Sequence, residues 1–231
     1  MMIEINPQAR VEMRRIGREG HPLLVIDDFL RHPEQIVDFA AAVPFGPPRT
    51  PAYPGVNAEL PGDYLPAVFH ALRPSFARGF GLGPDMPVHV TGFLALATLP
   101  LAQLQPRQRI PHYDFVNPGN LAVLHYLGQG QGGGTGFFRH DATGFELVDA
   151  ERRDAYALHV ERELLEAGDR LDSFTGPSTP NYSMIDSVDA KFNRLIVYRS
   201  ASLHCALFEG AHLSDDPRTG RLTANTFVLM K

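Results

Sequence analysis

Seven short runs decide how this chain folds: VHVTGFLALATL (88–99), RIPHYDF (109–115), LAVLHYL (121–127), TGFFRH (135–140), RLIVYRS (194–200), SLHCALF (202–208) and RLTANTFVLM (221–230). Each is rich in β-branched or aromatic residues and is bounded by Gly, Pro or Asn, which is how half-buried strands between turns read. Many such strands close together predict a β-sandwich or barrel over residues 85–231. One segment breaks the pattern. ERRDAYALHVERELLEAG (151–168) has good helix formers, Glu-to-Arg spacing and Gly168 at its end, so a helical insertion is expected around 145–168. Polar Ser173–Ser183 reads as a loop.

Outward from this core, the first 84 residues read as mostly helical, with one strand. LLVIDDF (23–29) is a buried strand, and Pro33 opens a helix that runs to about Val43. From Pro44 to Pro61 prolines recur too often for a helix or a central strand, so an ordered covering loop is expected. Tyr64, Val68, Leu72 and Phe76, four apart, give a helix over 64–80 that Pro74 kinks. The chain therefore reads as a single domain, 1–231, with 1–84 supporting an 85–231 core.

The whole sequence has 231 residues, 44% of them hydrophobic, which is ample for one core. Its 21 Lys+Arg stand against 26 Asp+Glu, a formal charge of -5, so no basic surface is available for nucleic acid. The longest apolar stretch, Val88–Leu104, is interrupted and falls short of the roughly 20 residues a membrane helix needs. The N-terminus lacks the basic flank and apolar run of a secretory signal, so a cytoplasmic location is expected. A lone Cys205 excludes an internal disulfide and a thiolate zinc site, which leaves His and carboxylates as the donors for any metal.

In RIPHYDF, His112 and Asp114 are two apart, so on an extended chain both side chains face one way and can bind one ion. His204, in a later run with similar apolar flanks, is the candidate third ligand. Two imidazoles and a carboxylate leave about half an octahedron open, an arrangement that suits non-haem Fe(II). Arg221 opens the last strand with Thr223 on the same face, a forked donor and a hydroxyl suited to a carboxylate. A dicarboxylate such as 2-oxoglutarate would span the two, its 2-oxo acid end at the metal and its far end at the clamp.

The order HYD, LAVLHYL, GGGTGFF, FNRLIVYRSASLH and RLT resembles the prolyl-hydroxylase-like branch of Fe(II)/2-oxoglutarate oxygenases over roughly residues 90–231. That resemblance implies a double-stranded β-helix, a jelly-roll barrel, with the N-terminal helices packed on one sheet. It implies iron on His112, Asp114 and His204, 2-oxoglutarate on Arg221 and Thr223, and Tyr126 before Leu127 as a further cosubstrate contact. Gly133, Gly134 and Thr135 resemble the turn into the next strand. The implied activity is hydroxylation of a small molecule, amino acid or peptide side chain, coupled to conversion of 2-oxoglutarate to succinate. Asp114 in place of Gly or Ala argues against a halogenase. The interval from His204 to Arg221 is longer than the family usually shows, which leaves Arg218 as a second clamp candidate. DDPRTG reads as a solvated turn, however, whereas Arg221 begins an alternating strand.

Two rivals remain open at this level: a cupin-like module that binds metal without oxygen chemistry, and a metal-dependent isomerase or hydrolase on the same barrel. Neither needs Arg221. The other polar residues read more blandly. His125 alternates with Tyr126 and so faces away from it as a packing residue, while Arg139 and His140 end a strand from which they could reach a substrate at the barrel mouth. Cys205 points opposite to His204 as a small core residue. Asp27 and Asp28 suit a turn, His212 a solvated loop, and the glycine run GQGQGGGTG has no Lys to make it a phosphate loop.

Overall fold

The computed structural model describes residues 2–50, 52–83, 85–129, 132–167 and 171–231. In chain order the elements are β1 (Arg10–Ile16), β2 (His21–Asp27), α1 (Glu34–Ala42), β3 (Gly55–Ala58), α2 (Tyr64–Ser75), β4 (Val88–Ala97), β5 (Leu121–Tyr126), β6 (Thr135–His140), α3 (Arg153–Ala167), β7 (Tyr182–Val188), β8 (Arg194–Arg199), β9 (His204–Ala206) and β10 (Arg221–Met230). The protein is mainly β. A seven-stranded antiparallel sheet has the order β1-β2-β8-β5-β10-β4-β3, and a three-stranded one the order β7-β6-β9.

Alternation along the strands sorts side chains into three layers. On the outer face of the large sheet, Leu94, Leu96, Leu121, Val123, Leu222 and Val228 pack against Ile36 of α1 and against Tyr64, Val68 and Leu72 of α2. Between the sheets, Ala122, Leu124, Tyr126, Ile196 and Tyr198 meet Phe137 and Val188. On the outer face of the small sheet, Phe138, Tyr182 and Cys205 pack on Tyr156 and Val160 of α3. Each fully buried aliphatic or aromatic side chain contributes about 1.5–3 kcal/mol, so the three layers together outweigh any single surface contact.

The sheet register fixes what the inter-sheet space contains. Across β10, Thr223 pairs with Tyr126 and Phe227 with Ala122 on one side, while Arg221 pairs with Ala97 and Asn225 with Phe93 on the other. Arg221, Thr223, Asn225 and Phe227 therefore share the inward face as one row.

Several expectations need correction. The N-terminal third is not mostly helical: β1 pairs with β2 along its whole length, and its RVEMRRI pattern hides this because only Ile16 is buried. The proline-rich segment contains β3, a four-residue edge strand on β4, a position that leaves prolines room outside the ladder. The polar run YSMIDSV forms β7, so the 173–183 loop ends at its start. RIPHYDF is not a full strand. Among the described residues its one bridge pairs His112 with His204, because Pro111 has no N–H to extend the ladder and a 3-10 turn occupies Pro106–Arg109. Past Pro74, α2 widens into a π-type turn, Phe76–Phe80, and does not break. The helix stop assigned to Gly168 lies outside the described residues. Among the described residues no helix is long and apolar enough to cross a membrane.

Candidate active site

His112, Asp114 and His204 converge. The backbone brings them together: His112 N–H donates to the His204 carbonyl at 2.9 Å, His204 N–H returns the bond at 2.8 Å, and Asp114 N–H donates to Ser200 O at 2.8 Å. One ligand atom from each residue lies within 4.8 Å of the others. His204 Nε2 stands 3.6 Å from Asp114 Oδ2, and His112 Nε2 stands 3.8 Å from Asp114 Oδ1. Nδ1 of His204 is 2.9 Å from the Ser202 carbonyl, which can only accept, so the proton resides on Nδ1 and the Nε2 lone pair is free toward Asp114.

The electrostatics of this cluster suit a cation. Burial holds the His204 imidazole down at about 4. His112 is lowered by burial of its ring nitrogen and by His204 beside it, although solvent reaches half of its side chain. Burial raises Asp114 to about 6, with His112 pulling it partly back. Neutral imidazoles are the ligating form, and a divalent ion supplies the positive charge that the half-buried carboxylate lacks.

At the closed end of the inward row lies Arg221, only 8% exposed. Its Nε–H donates to the Gly133 carbonyl, and its guanidinium lies 5.9 Å from the centre of the Tyr126 ring and 5.3 Å from that of Phe208. Among the described residues it has no ion pair. A buried guanidinium without a counter-ion is costly, and an anion bound there relieves the cost. Gly133, at φ +78°, allows the approach, since a Cβ there would stand 2.7 Å from Arg221 Cδ. Thr223, fully buried, shares the row, and its hydroxyl has only a long 3.5 Å contact to Ala95 O. Tyr126 donates to or accepts from Thr135 Oγ1 at 2.6 Å, and burial pushes its phenol up to about 12. Arg218 is elsewhere, paired at the surface with Asp38 of α1 at 3.1 Å.

Toward the open end the row finishes in aromatics. Phe227 contacts Phe93 at 6.1 Å and Phe115 at 5.4 Å between ring centres, and Arg49 lies 5.3 Å from the centre of the Phe93 ring. Phe115 directly follows the residue after Tyr113 in the HYD motif, so this partly exposed apolar wall adjoins Asp114.

The remaining candidates are structural. His125 faces the helices and bonds Tyr64 Oη at 2.9 Å and Asn193 Oδ1 at 3.2 Å. His140 does not reach a mouth: two residues after Phe138 on β6, it shares that residue's outward face and is buried under α3, held by Glu163 at 3.0 Å and Thr143 at 2.9 Å. Arg139 turns to Glu146 at 3.4 Å. Cys205 is buried on the α3 side, Asp27 pairs with Arg194 at 2.6 Å, and His212 is exposed. Glu19, His21 and Glu146 also cluster closely enough for an ion. Their oxygens are already engaged: Glu146 accepts from the Arg18 and Glu19 N–H groups at 3.0 Å, and Glu19 accepts from Arg152 at 2.8 Å.

Sequence reasoning missed Tyr53, whose buried hydroxyl lies near Arg221, and the Phe93/Phe115/Phe227 wall. The wall could have been sought in the inward phase of β4 and β10. Nothing in the proline-rich segment marked Tyr53.

Fold and site together define a mainly β protein with a His/Asp/His cluster and a buried arginine that has no ion pair among the described residues. The chain belongs to the Family of unknown function (DUF6445), which matches residues 7–228. No curated protein sequence matches it. Among solved structures, an N-substituted L-amino acid dioxygenase from Burkholderia ambifaria AMMD, in complex with alpha-KG, is similar with a TM-score of 0.42 and 13% identity over 99% of this chain and 96% of that one. A second structure of an N-substituted L-amino acid dioxygenase from the same organism gives a TM-score of 0.40 and 10% identity over 95% and 93%.

Proposed function

We propose that this chain is a non-haem Fe(II)- and 2-oxoglutarate-dependent oxygenase on a jelly-roll scaffold, acting as a hydroxylase of a small molecule, amino acid or peptide side chain. The observation that carries the reading is the pairing of a convergent His112/Asp114/His204 cluster with a buried Arg221 that lacks a counter-ion. The strand order supports the scaffold: β8-β5-β10-β4 in one sheet and β7-β6-β9, extended by the His112 bridge, in the other, interleave in the chain as jelly-roll strands do.

When bound, Fe(II) and 2-oxoglutarate supply the power to oxidise an unactivated C–H bond. The chain's own residues do the positioning. Two imidazole nitrogens and one carboxylate hold one side of the ion and leave the other side for the cosubstrate. Arg221 and Thr223 fix the far carboxylate, Tyr126 and Phe208 keep water from the guanidinium, and the Ser202 carbonyl fixes the His204 tautomer. The Phe93/Phe115/Phe227 wall favours a substrate with an apolar surface. A metal module, or an isomerase or hydrolase, leaves the buried Arg221 without a task.

Turnover of 2-oxoglutarate to succinate tests this reading. Arg221→Ala is expected to reduce it at least 100-fold, the loss of a charged, doubly hydrogen-bonded contact, while Arg218→Ala stays near wild type. Undiminished turnover in Arg221→Ala would refute the clamp.

A further inference from the structure

We propose that Tyr53, carried by the proline-rich segment, is a third ligand for the anion at Arg221, its phenol O–H donating to the far carboxylate of a 2-oxo dicarboxylate. The inference rests on the oxygenase reading and extends it to a residue far from the jelly-roll strands.

The register sets up the contact. Gly55 of β3 pairs with Ala97 of β4, and Ala97 pairs with Arg221 of β10, so the three residues form one row across adjacent strands. Tyr53 precedes Gly55 by one turn, in which Gly55 N–H donates to the Tyr53 carbonyl at 3.0 Å and Tyr53 N–H to Thr50 O at 3.1 Å. Gly55 is required there because a Cβ would fall 2.0 Å from Leu96 O and 2.9 Å from the Tyr53 ring. The phenol is thereby delivered to the closed end of the inter-sheet space.

Two unmet demands meet at that point. The Tyr53 hydroxyl is buried and, among the described residues, its O–H finds no acceptor, since Arg221 beside it can only donate, although a buried hydroxyl is normally satisfied. The neighbouring Arg221 guanidinium turns Nε to Gly133, lies close enough to lower the Tyr53 phenol by its charge and by hydrogen bonding to the phenol oxygen, and meets no carboxylate among the described residues. Burial raises the Tyr53 phenol to about 12, with the Arg221 charge opposing, so it is a protonated donor at neutral pH. A carboxylate accepts from both groups at once. A cation is repelled by the guanidinium and a neutral carbonyl leaves its charge unbalanced, so the site favours an anion with at least two acceptor oxygens.

The test is calorimetric binding of 2-oxoglutarate, and of pyruvate, which lacks the far carboxylate, to the full chain loaded with Mn(II) in place of iron. Wild type, Tyr53→Phe and Arg221→Ala are compared. Tyr53→Phe is expected to weaken 2-oxoglutarate about tenfold, the loss of one hydrogen bond to a charged group, and to leave the pyruvate Kd unchanged. Arg221→Ala should lose more. Wild-type affinity for 2-oxoglutarate in Tyr53→Phe, alongside a loss in Arg221→Ala, would overturn the role of Tyr53 and leave the clamp standing. Equal weakening for both ligands would also overturn it, by showing a general structural effect. Absence of 2-oxoglutarate binding to the wild type would overturn the oxygenase reading and this inference with it.

Discussion

Buried histidines and Asp27 make the fold acid-sensitive in separable windows, with His125, away from the metal-ligand cluster, adding to His204 and His112 in the upper one. His125 is buried and neutral, with a folded pKa of about 4 against 6.5 in its free form. The unfolded chain therefore binds a proton that the native chain refuses. The resulting stability, on the order of 3 kcal/mol, is present above pH 6.5 and is lost as pH falls to about 4. Asp27, held by Arg194 at about 2 against 3.8, contributes about 2 kcal/mol that is present above pH 3.8 and is lost toward pH 2. Urea midpoints measured from pH 7 to pH 3 should fall in both windows, and Asp27→Asn should flatten only the lower one. His125→Gln should lose part of the fall between pH 6.5 and pH 4, and a profile in that variant as steep as the wild type contradicts the buried neutral His125. At this scale the sequence was most informative. His112/Asp114 and Arg221/Thr223 could each be read as a pair because spacing and strand phase are local properties, whereas the approach of His204 to the first pair is a product of the fold. Tyr53 was illegible because its role depends on a row across three strands.

Among elements, the strands that bury both faces were legible, since β5 and β8 are continuous apolar runs and β10 alternates along its length. Edges were not. β1 is largely exposed, β3 has four residues among prolines, and β7 is rich in Ser and Asp, so none shows the apolar period that marks a strand. The helical insertion was read correctly as α3, yet its purpose is packing. The His140–Glu163 contact fastens α3 to the back of the small sheet, away from the metal-ligand cluster. Glu163→Ala should lower stability by about 1–3 kcal/mol by leaving His140 Nε2 without its partner under the helix. Metal binding should be unchanged, and a loss of metal affinity in this variant, with native folding retained, would assign α3 to the site.

In the molecule as a whole, two sheets face each other across a space whose β10 row runs from Arg221 to Phe227, with the metal-type donors adjoining the aromatic end through Phe115. Helices α1 and α2 stiffen the large sheet and α3 the small one, so ligands drawn from distant segments keep a fixed geometry. The sequence could not show that a second cluster, Glu19/His21/Glu146, would also come within metal-binding distance, because it joins a hairpin turn to a residue far along the chain. This rival makes the number and place of bound ions the sharpest test. Anaerobic Fe(II) titration followed by metal analysis should find one tightly held ion per wild-type chain, none in His204→Ala, and one in Glu146→Gln. One ion retained by His204→Ala and lost by Glu146→Gln would contradict the account.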